Sequence, residues 1–380
     1  MRIGIDARFY GGEQSKGLGR YVQKLIEYLA ENEDDHQYVI FLQQEGFDNW
    51  NIDNPRFTPV LAPYHWYTVT EQLLLPLKIW QQNIDLMHFP HFNVPLLFRG
   101  KFLVTIHDLI ILHFPTERAT TLGPFLYKLK HWAGQMVMRH AALHSTHIIT
   151  VSEFSKKDIV EYYSLPESRV SVTYEAAEIH NHLCTDEQVA EVIQGYVIKQ
   201  PYLLYVGNVY PHKNVDVLLE VAKKLVERGI HTYRFVIVGK KDYFIRRLEQ
   251  EVWAKDIEKL FVFTGFVSDE DLPCLYKGAH AFIFPSLYEG FGLPPLEAMA
   301  YGTPVLSSDA SCMPEILGDA AHYFEPSDVN AIMDGIIALE DPTEREAYIE
   351  KGLKQVGQYS WRNMMEETIA LYEQQKKENK

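Results

Sequence analysis

Two glutamates eight residues apart, Glu289 and Glu297, bracket the stretch Gly290-Phe291-Gly292-Leu293-Pro294-Pro295. Carboxylates so placed can accept hydrogen bonds from hydroxyl groups, while the glycine loop between them offers backbone N–H groups to an anion. The apolar run Ala281–Phe284, closed by Pro285, reads as a buried strand. The prolines open a helix through Leu296-Glu297-Ala298-Met299-Ala300. Strand, loop and helix N-terminus together aim a partial positive charge at the loop. A ligand with hydroxyls on both sides of a phosphate fits this pattern, and a sugar nucleotide has that shape. A plainer reading stands beside it, because glycine-bearing strand–loop–helix units are common and a glutamate in a first helical turn often only complements the dipole.

Other groups point to the same chemistry. Lys213 lies in Gly207-Asn208-Val209-Tyr210-Pro211-His212-Lys213-Asn214, just before a helix, where it can place a point charge on a phosphate. Gly17 and Gly19 precede another helix with Arg20 in its first turn and permit close approach of the backbone to a ligand. The run Gly11–Arg20 is not a G-x-G-x-x-G and lacks the acidic residue of a dinucleotide site. His107 and Asp108, in Thr105-Ile106-His107-Asp108-Leu109, sit at the tip of an apolar strand, where α/β folds place function. His107 is expected to hydrogen-bond a sugar hydroxyl with Asp108 orienting it, and His88 and His91 to line the same wall. The turn Gly265-Phe266-Val267-Ser268-Asp269-Glu270 carries a helix cap, Ser268 or Asp269, ahead of Leu272–Lys277. No nearby carboxylate set accompanies the histidines, of which there are 16, and no metal site is expected.

The elements that must position these residues alternate. Strands are expected at Arg2–Ile5, Tyr38–Leu42, Leu86–His88, Phe102–Ile106, His147–Val151 and Val170–Thr173, with helices at Leu18–Asn32 and Ser155–Tyr163. A second cycle begins at Tyr202–Gly207 and runs through the helix Val215–Arg228, the strand Arg234–Val238, the helix Tyr243–Val252 and the strands Leu260–Thr264 and Ala281–Phe284. Such alternation implies parallel sheets with helices on both faces, and 380 residues exceed one ordinary core. Two doubly wound α/β domains are therefore expected, 1–178 and 201–358. Residues 179–200 connect them, within a stretch from Ala176 to Gln200 that lacks clean periodicity. Residues 359–380 form a final polar helix with Trp361, Met364, Met365, Ile369 and Tyr372 on one face.

The formal net charge is −15, made of −4 over residues 1–180 and −11 over the remainder, which argues against nucleic acid as a partner. Cys184, Cys274 and Cys312 form no C-x-x-C, so unpaired thiols in a reducing compartment are expected. The start reads as a strand rather than a signal peptide, and no run nears the roughly 20 apolar residues of a membrane span. A cytoplasmic protein, peripheral on the inner face of a membrane, is the expectation. One stretch departs from the acidic background: Arg118 to Ser152 contains no Asp or Glu, yet holds Arg118, Lys128, Lys130 and Arg139 interleaved with Phe125, Tyr127, Trp132, Met136 and Met138. Such a basic, aromatic helix suits an anionic lipid surface; equally, it suits a core helix with snorkelling lysines.

Glu289-Gly290-Phe291-Gly292 through Glu297 closely resembles the E-x7-E motif of the retaining glycosyltransferases of family 4. Ala300-Tyr301-Gly302-Thr303-Pro304-Val305 and Met313-Pro314-Glu315-Ile316 follow in that family's order. The resemblance implies a GT-B fold: two facing Rossmann-like domains, an acceptor-binding one and a nucleotide-sugar-binding one, with the last helix returning to the first. It implies that Glu297 binds the ribose hydroxyls, that Glu289 binds the donor sugar near O3, and that Lys213 with the amides of Gly290, Phe291, Gly292 and Leu293 stabilises the departing diphosphate. It implies too that Gly17 and Gly19 approach the diphosphate, that Gly207 and Asn208 belong to the donor site, and that the backbone at Val267 reads the base. Many relatives carry Arg where this chain has Asn208, so one cation rather than two is expected at the diphosphate. The expected activity is hexosyl transfer from a GDP-, UDP- or ADP-linked sugar, mannose from GDP-mannose being favoured, to a glycan or lipid-linked acceptor, without metal or cofactor. The competing readings are a sugar-nucleotide epimerase of the same fold and a binding partner without catalysis. A phosphorylase would need a pyridoxal lysine site, and none is evident.

Overall fold

The computed structural model describes residues 1–11, 16–115, 124–177 and 184–377, without the side chains of 16 and 124–127. Of the sequence readings, the loop residues Gly12–Ser15, Arg118, the side chains of Phe125 and Tyr127, and part of the connection lie outside that description. The chain divides into two compact units: Met1–Glu175 with Ser360–Lys380, and Ala176–Tyr359.

The first unit alternates strands and helices in the order β1 (Arg2–Asp6), α1 (Lys16–Glu31), β2 (Gln37–Leu42), α2 (Gln44–Asp48), β3 (Phe57–Leu61), α3 (Val69–Trp80), β4 (Leu86–Phe89), β5 (Phe102–Thr105), α4 (Ile110–His113), α5 (Pro124–His144), β6 (His147–Thr150), α6 (Glu153–Tyr163) and β7 (Val170–Val172). The strands form one parallel sheet in the order β3-β2-β1-β4-β5-β6-β7. The chain steps outward from β1 to β3, returns beside β1 as β4, and continues the other way. That reversal is the crevice where such sheets bind ligands. Right-handed crossovers put α1 and α2 on one face and α3, α5 and α6 on the other. Leu75, Ile79, Met138, Ala141 and Ile159 join the sheet in a single core there. On α1, Tyr21, Val22, Leu25, Ile26 and Leu29 are buried, a spacing that keeps one face of a 3.6-residue helix on the sheet.

The second unit runs α7 (Asp186–Gly195), β8 (Tyr202–Val206), α8 (Val217–Glu227), β9 (Arg234–Val238), α9 (Tyr243–Ala254), β10 (Phe261–Gly265), α10 (Leu272–Gly278), β11 (Ala281–Phe284), α11 (Leu293–Ala300), β12 (Val305–Ser308), α12 (Met313–Leu317), β13 (Ala321–Phe324), α13 (Val329–Ala338) and α14 (Pro342–Val356). Its parallel sheet has the order β10-β9-β8-β11-β12-β13, so its reversal falls between β8 and β11. The last helix, α15 (Trp361–Lys377), belongs to the first unit and packs on α1. Its buried residues are Trp361, Met364, Met365, Thr368, Leu371, Tyr372 and Gln375; Ile369, expected on that face, is only half-buried.

Two expectations need correction. The stretch read as aperiodic contains α7, closed at its start by a capping box in which Thr185 and Gln188 satisfy each other's backbone amides. A short helix with three buried or half-buried apolar residues, Val189, Val192 and Ile193, leaves a weak pattern, and the cap is what marks this one. Cys184 and Cys274 are joined in a disulfide across 90 residues, because α7 packs against α10. Only Cys312 stays a free thiol, so the compartment inferred from cysteine usage loses its support. Strand β3 went unread because Pro59 interrupts it; as a sheet edge, it tolerates the missing N–H.

Under the crevice of the first unit lies a buried charge cluster. Arg8 Nε and Nη2 donate to Asp6 at 2.7 Å, Nη2 also meets Glu71 Oε1 at 2.6 Å, and Nη1 donates to the Tyr64 carbonyl at 2.9 Å. Asn93 Nδ2 donates to the same Glu71 oxygen at 2.6 Å. Burial alone would favour a neutral Arg8, but Asp6 and Glu71 keep it firmly protonated. Removing one partner from such a cluster strands a charge away from water. Glu71→Ala should therefore destabilise the first unit by about 3–5 kcal/mol, read as a shift in its urea-unfolding midpoint, whereas an unchanged midpoint would show the cluster to be dispensable.

Candidate functional site

In the second unit the reversal between β8 and β11 brings two segments distant in sequence side by side. After β8 the chain turns through Pro211–Lys213, a single 3-10 turn with proline at its start. Asn214 follows with φ 55°, in the left-handed region, which asparagine tolerates better than most residues. Its side-chain amide donates to the carbonyls of Pro285 at 3.1 Å and Pro326 at 2.8 Å. The Leu287 amide donates to the His212 carbonyl at 2.7 Å. These bonds fix the loop after β8 against the loop after β11, and so place Lys213 beside Glu289. The ammonium of Lys213 donates to both carboxylate oxygens of Glu289 at 2.7 Å, with 17% and 8% of the two side chains exposed. The buried His212 imidazole is held down to about 4, by burial first and then by Lys213, so Lys213 is the cation of this loop at neutral pH.

The glycine loop is braced from behind. Ser311 Oγ accepts from the Glu289 amide at 3.0 Å, and the Cys312 thiol meets the carbonyls of Glu289 and Phe291, each at 3.3 Å. Burial, reinforced by the Glu289 charge, pushes the Cys312 thiol well up, which keeps it a neutral donor. Gly292 has φ 92°, and a Cβ there would lie 2.4 Å from the Met313 methyl; only glycine fits this position. Because Pro294 and Pro295 carry no N–H, the donors at the start of α11 reduce to the amides of Gly292 and Leu293. Neither has an acceptor among the described residues. Gly290 and Phe291 are buried in the same loop. One turn into α11, Glu297 Oε2 accepts from Tyr276 OH at 3.0 Å, and Tyr276 stacks on Tyr301.

Gly207 follows β8 with φ 149°, and its carbonyl lies where a Cβ on Gly239 would fall. Asn208 is exposed, and its carbonyl accepts from Tyr205 OH at 2.5 Å. Val267 is buried in the turn after β10, so its backbone is what that turn offers. Ser268 Oγ accepts from the amide of Asp271 at 3.0 Å, and Asp271, which stands at the N-cap of α10, makes no side-chain cap bond of its own.

In the first unit His107 follows β5, and Tyr21 of α1 meets its ring edge-on at 4.8 Å. Gly17 and Gly19 fall within the first turn of α1 rather than in the preceding loop. The orienting carboxylate is Glu175, which sequence reading missed: its Oε1 is 3.2 Å from His107 Nδ1. Asp108 instead accepts from the Ile110 amide at 2.9 Å, a local turn that its neighbour's ring does not share. His107 Nε2 lies 3.1 Å from the Pro90 carbonyl. Both ring nitrogens therefore face acceptors, so the sugar hydroxyl expected at His107 finds no nitrogen to spare in this state. Burial opposes the charge, but the hydrogen bond and charge of Glu175 outweigh it and raise the His107 pKa. His88 is not a wall residue either. It is fully buried between Tyr372 OH (2.6 Å) and Thr105 Oγ1 (2.9 Å), and Thr105 in turn meets Tyr21 OH at 3.2 Å. Burial, then the His107 charge, lowers it to about 3; a neutral ring suits two hydroxyl partners. His91 does remain at the surface, half-buried, with Nε2 2.7 Å from Tyr67 OH. Lys128, Lys130, Trp132 and Arg139 are all exposed on α5.

Residues 190–355 match the family described as Glycosyl transferases group 1, and residues 15–179 match Glycosyltransferase Family 4. The chain is similar to the O-antigen chain mannosyltransferase B of Escherichia coli, 33% identical over 94% of this chain and 95% of that one. It also resembles the O-antigen chain mannosyltransferase RfbU of Salmonella typhimurium, at 29% identity over 82% and 80%. The chain belongs to glycosyltransferase family 4. Among solved structures, WaaG, a glycosyltransferase involved in lipopolysaccharide biosynthesis, aligns at TM-score 0.71 and 17% identity over 97% and 98% of the two chains. Anabaena Alr3699/HepE, with UDP and glucose, aligns at 0.73 and 15% over 98% and 99%. At those identities they establish the fold, and the fold class is GT-B.

Two predictions follow for this family 4 enzyme. In Glu175→Gln the charge that offsets burial is gone, so the His107 titration midpoint, above the ordinary histidine value of about 6.5 in the wild type, should fall below it in the variant. Imidazole NMR reads both midpoints, and equal values would deny the pairing. The sign for stability follows: with a raised folded-state pKa, the pair's contribution is complete below the unfolded value and lost as pH rises through the folded one. Gly292→Ala should cost about 1–2 kcal/mol from backbone conformation alone, with the methyl clash added; thermal unfolding measures it, and an unshifted midpoint would show the loop to be compliant.

Proposed function

We propose that this glycosyltransferase moves a hexose, with retention of anomeric configuration, from a nucleotide-sugar donor to a glycan or lipid-linked acceptor in polysaccharide or glycolipid biosynthesis. Mannose from GDP-mannose is the favoured donor. The observation that carries the reading is the pairing of Lys213 with Glu289 beside the amides of Gly292 and Leu293. It puts a cation and two donors next to a carboxylate that can take sugar hydroxyls. The 33% identity with a mannosyltransferase over nearly the whole chain supports the sugar. In the transfer, the bond between the anomeric carbon and the phosphate oxygen breaks while the acceptor oxygen bonds to that carbon. The leaving diphosphate takes the acceptor proton. Negative charge grows on the leaving group, which is where a fixed cation and preorganised amides act most strongly.

The ion pair gives this proposal a sequence of events. Before donor binds, Glu289 neutralises Lys213 and neither charge is left unpaired in a half-buried site. A diphosphate competes for the ammonium, and the freed carboxylate oxygens turn to the donor sugar near O3. Glu297 takes the ribose hydroxyls. No metal is required in this scheme, since Lys213 and the α11 amides carry the counter-charge.

Thermal-shift titration with GDP, UDP, ADP and their sugars tests the donor: GDP-mannose should give the largest stabilisation, and a larger response to a UDP-sugar would replace it. Glu297→Ala should weaken nucleotide binding by about 1–3 kcal/mol by calorimetry. Lys213→Ala should lower kcat by on the order of 10²-fold while leaving the fold intact. Retention predicts an α-linked product from an α-linked donor; a β-anomer in the product NMR spectrum would sink the proposed front-face course.

A further inference from the structure

Helix α10 of the second unit is tied down at three consecutive residues. Cys274 is bonded to Cys184, just ahead of α7. The Leu275 carbonyl accepts from Tyr202 OH of β8 at 2.6 Å, and the Tyr276 carbonyl accepts from Thr303 Oγ1 at 2.6 Å. The Tyr276 side chain is held as firmly. It is 1% exposed, its ring stacks on Tyr301 with 5.7 Å between centroids and 10° between planes, and it leans on Phe282 at the same distance. A phenylalanine would satisfy each of these contacts, since they use the backbone or the ring. What tyrosine adds is a hydroxyl, which donates to Glu297 Oε2 at 3.0 Å.

That bond bears on the carboxylate read above as the ribose-binding group. Glu297 is half-buried, one turn into α11. A glutamate side chain turns about several single bonds, and ordering it as a ligand binds costs entropy. A donor on an immobile, buried ring orders the carboxylate in advance, so that ligand binding bears less of this cost. The phenol also leaves the chemistry of the group intact. A carboxylate has about four acceptor positions over its two oxygens, and one hydroxyl donor occupies only one of them. The neighbouring hydroxyls of a ribose bring two further O–H donors at a fixed spacing, which suits a carboxylate held in one orientation. A site arranged to bond hydroxyls discriminates against the analogue that lacks them, because its polar group is then left without those partners.

The geometry points to Tyr276 as a positioning residue: its hydroxyl sets the Glu297 carboxylate for the ribose, and so makes the donor site select ribonucleotides over their deoxy counterparts. The inference rests on the reading of Glu297 as the ribose-binding group, and the test separates the two. Full-length wild type, Tyr276→Phe and Glu297→Ala are titrated by calorimetry with whichever of GDP, UDP and ADP gives the largest thermal shift. Each is titrated also with the dideoxyribose analogue of that nucleotide. Wild type should prefer the ribonucleotide by on the order of 10²-fold. Tyr276→Phe should lower that preference about tenfold, by weakening the ribonucleotide alone. Unchanged affinity for the dideoxy analogue certifies that the variant's site is folded. A packing defect would instead weaken both nucleotides together, and that result would overturn the proposal. So would a wild-type preference retained in Tyr276→Phe but lost in Glu297→Ala, which removes the role of Tyr276 and leaves the ribose reading standing. A wild type without any preference would remove both.

Discussion

The contact on which the candidate site depends is the bidentate pair between Lys213 and Glu289. A lysine ammonium and a glutamate carboxylate withdrawn from water lose solvation that their mutual attraction only partly restores. Such a pair persists where the surrounding structure leaves neither charge another place to go. Here the restriction comes from Asn214, whose amide ties the Lys213 loop to Pro285 and Pro326. It comes also from Ser311 and Cys312, which grip the backbone of the Glu289 loop. The pair thus reports a geometry set by its supports rather than a strong bond in its own right. A ligand that supplies a new anion for Lys213 and new donors for Glu289 can replace the pair without stranding either charge. That exchangeability suits a binding site better than it suits a structural brace.

The supports in turn follow from topology. In the second unit the loops after β8 and β11 are neighbours only because the sheet order reverses between those strands, although 76 residues separate the paired side chains. The first unit repeats the scheme at β1 and β4, where the buried Asp6–Arg8–Glu71 cluster takes the equivalent place. From there a line of buried hydroxyl and imidazole groups, Tyr372, His88, Thr105 and Tyr21, ends against the ring of His107. The C-terminal helix is therefore part of the framework that holds His107, through a hydrogen bond spanning 284 residues of sequence.

Much of this was legible in the sequence, and the limits are instructive. Central strands buried on both faces, such as Ala281–Phe284 and Arg234–Val238, announce themselves as short apolar runs and were read with the observed bounds. The E-x7-E spacing and the lysine before its helix were readable because chemistry and local structure coincide there. Glu175 was not, since a lone glutamate after a strand carries no pattern, and its role exists only through the fold that brings it to His107. Adjacency in sequence suggested Asp108 as the orienting group, but its charge only adds to that of Glu175, which makes the hydrogen bond to the ring. The disulfide between Cys184 and Cys274 escaped in the same way, as loop closure across 90 residues leaves no local trace.

The state of His107 bears on how the first unit could take part in chemistry. A neutral histidine offers one donor and one acceptor, but this ring meets an acceptor at each nitrogen, Glu175 at 3.2 Å and Pro90 at 3.1 Å. Two acceptors call for two N–H groups, and that is the imidazolium. The raised pKa agrees with the geometry. Such a ring cannot accept a proton from an acceptor hydroxyl, so His107 is excluded as a general base while both contacts persist. What it can contribute is a positive field at the carboxyl end of the sheet. In the transfer proposed above, the acceptor proton then needs a group other than His107.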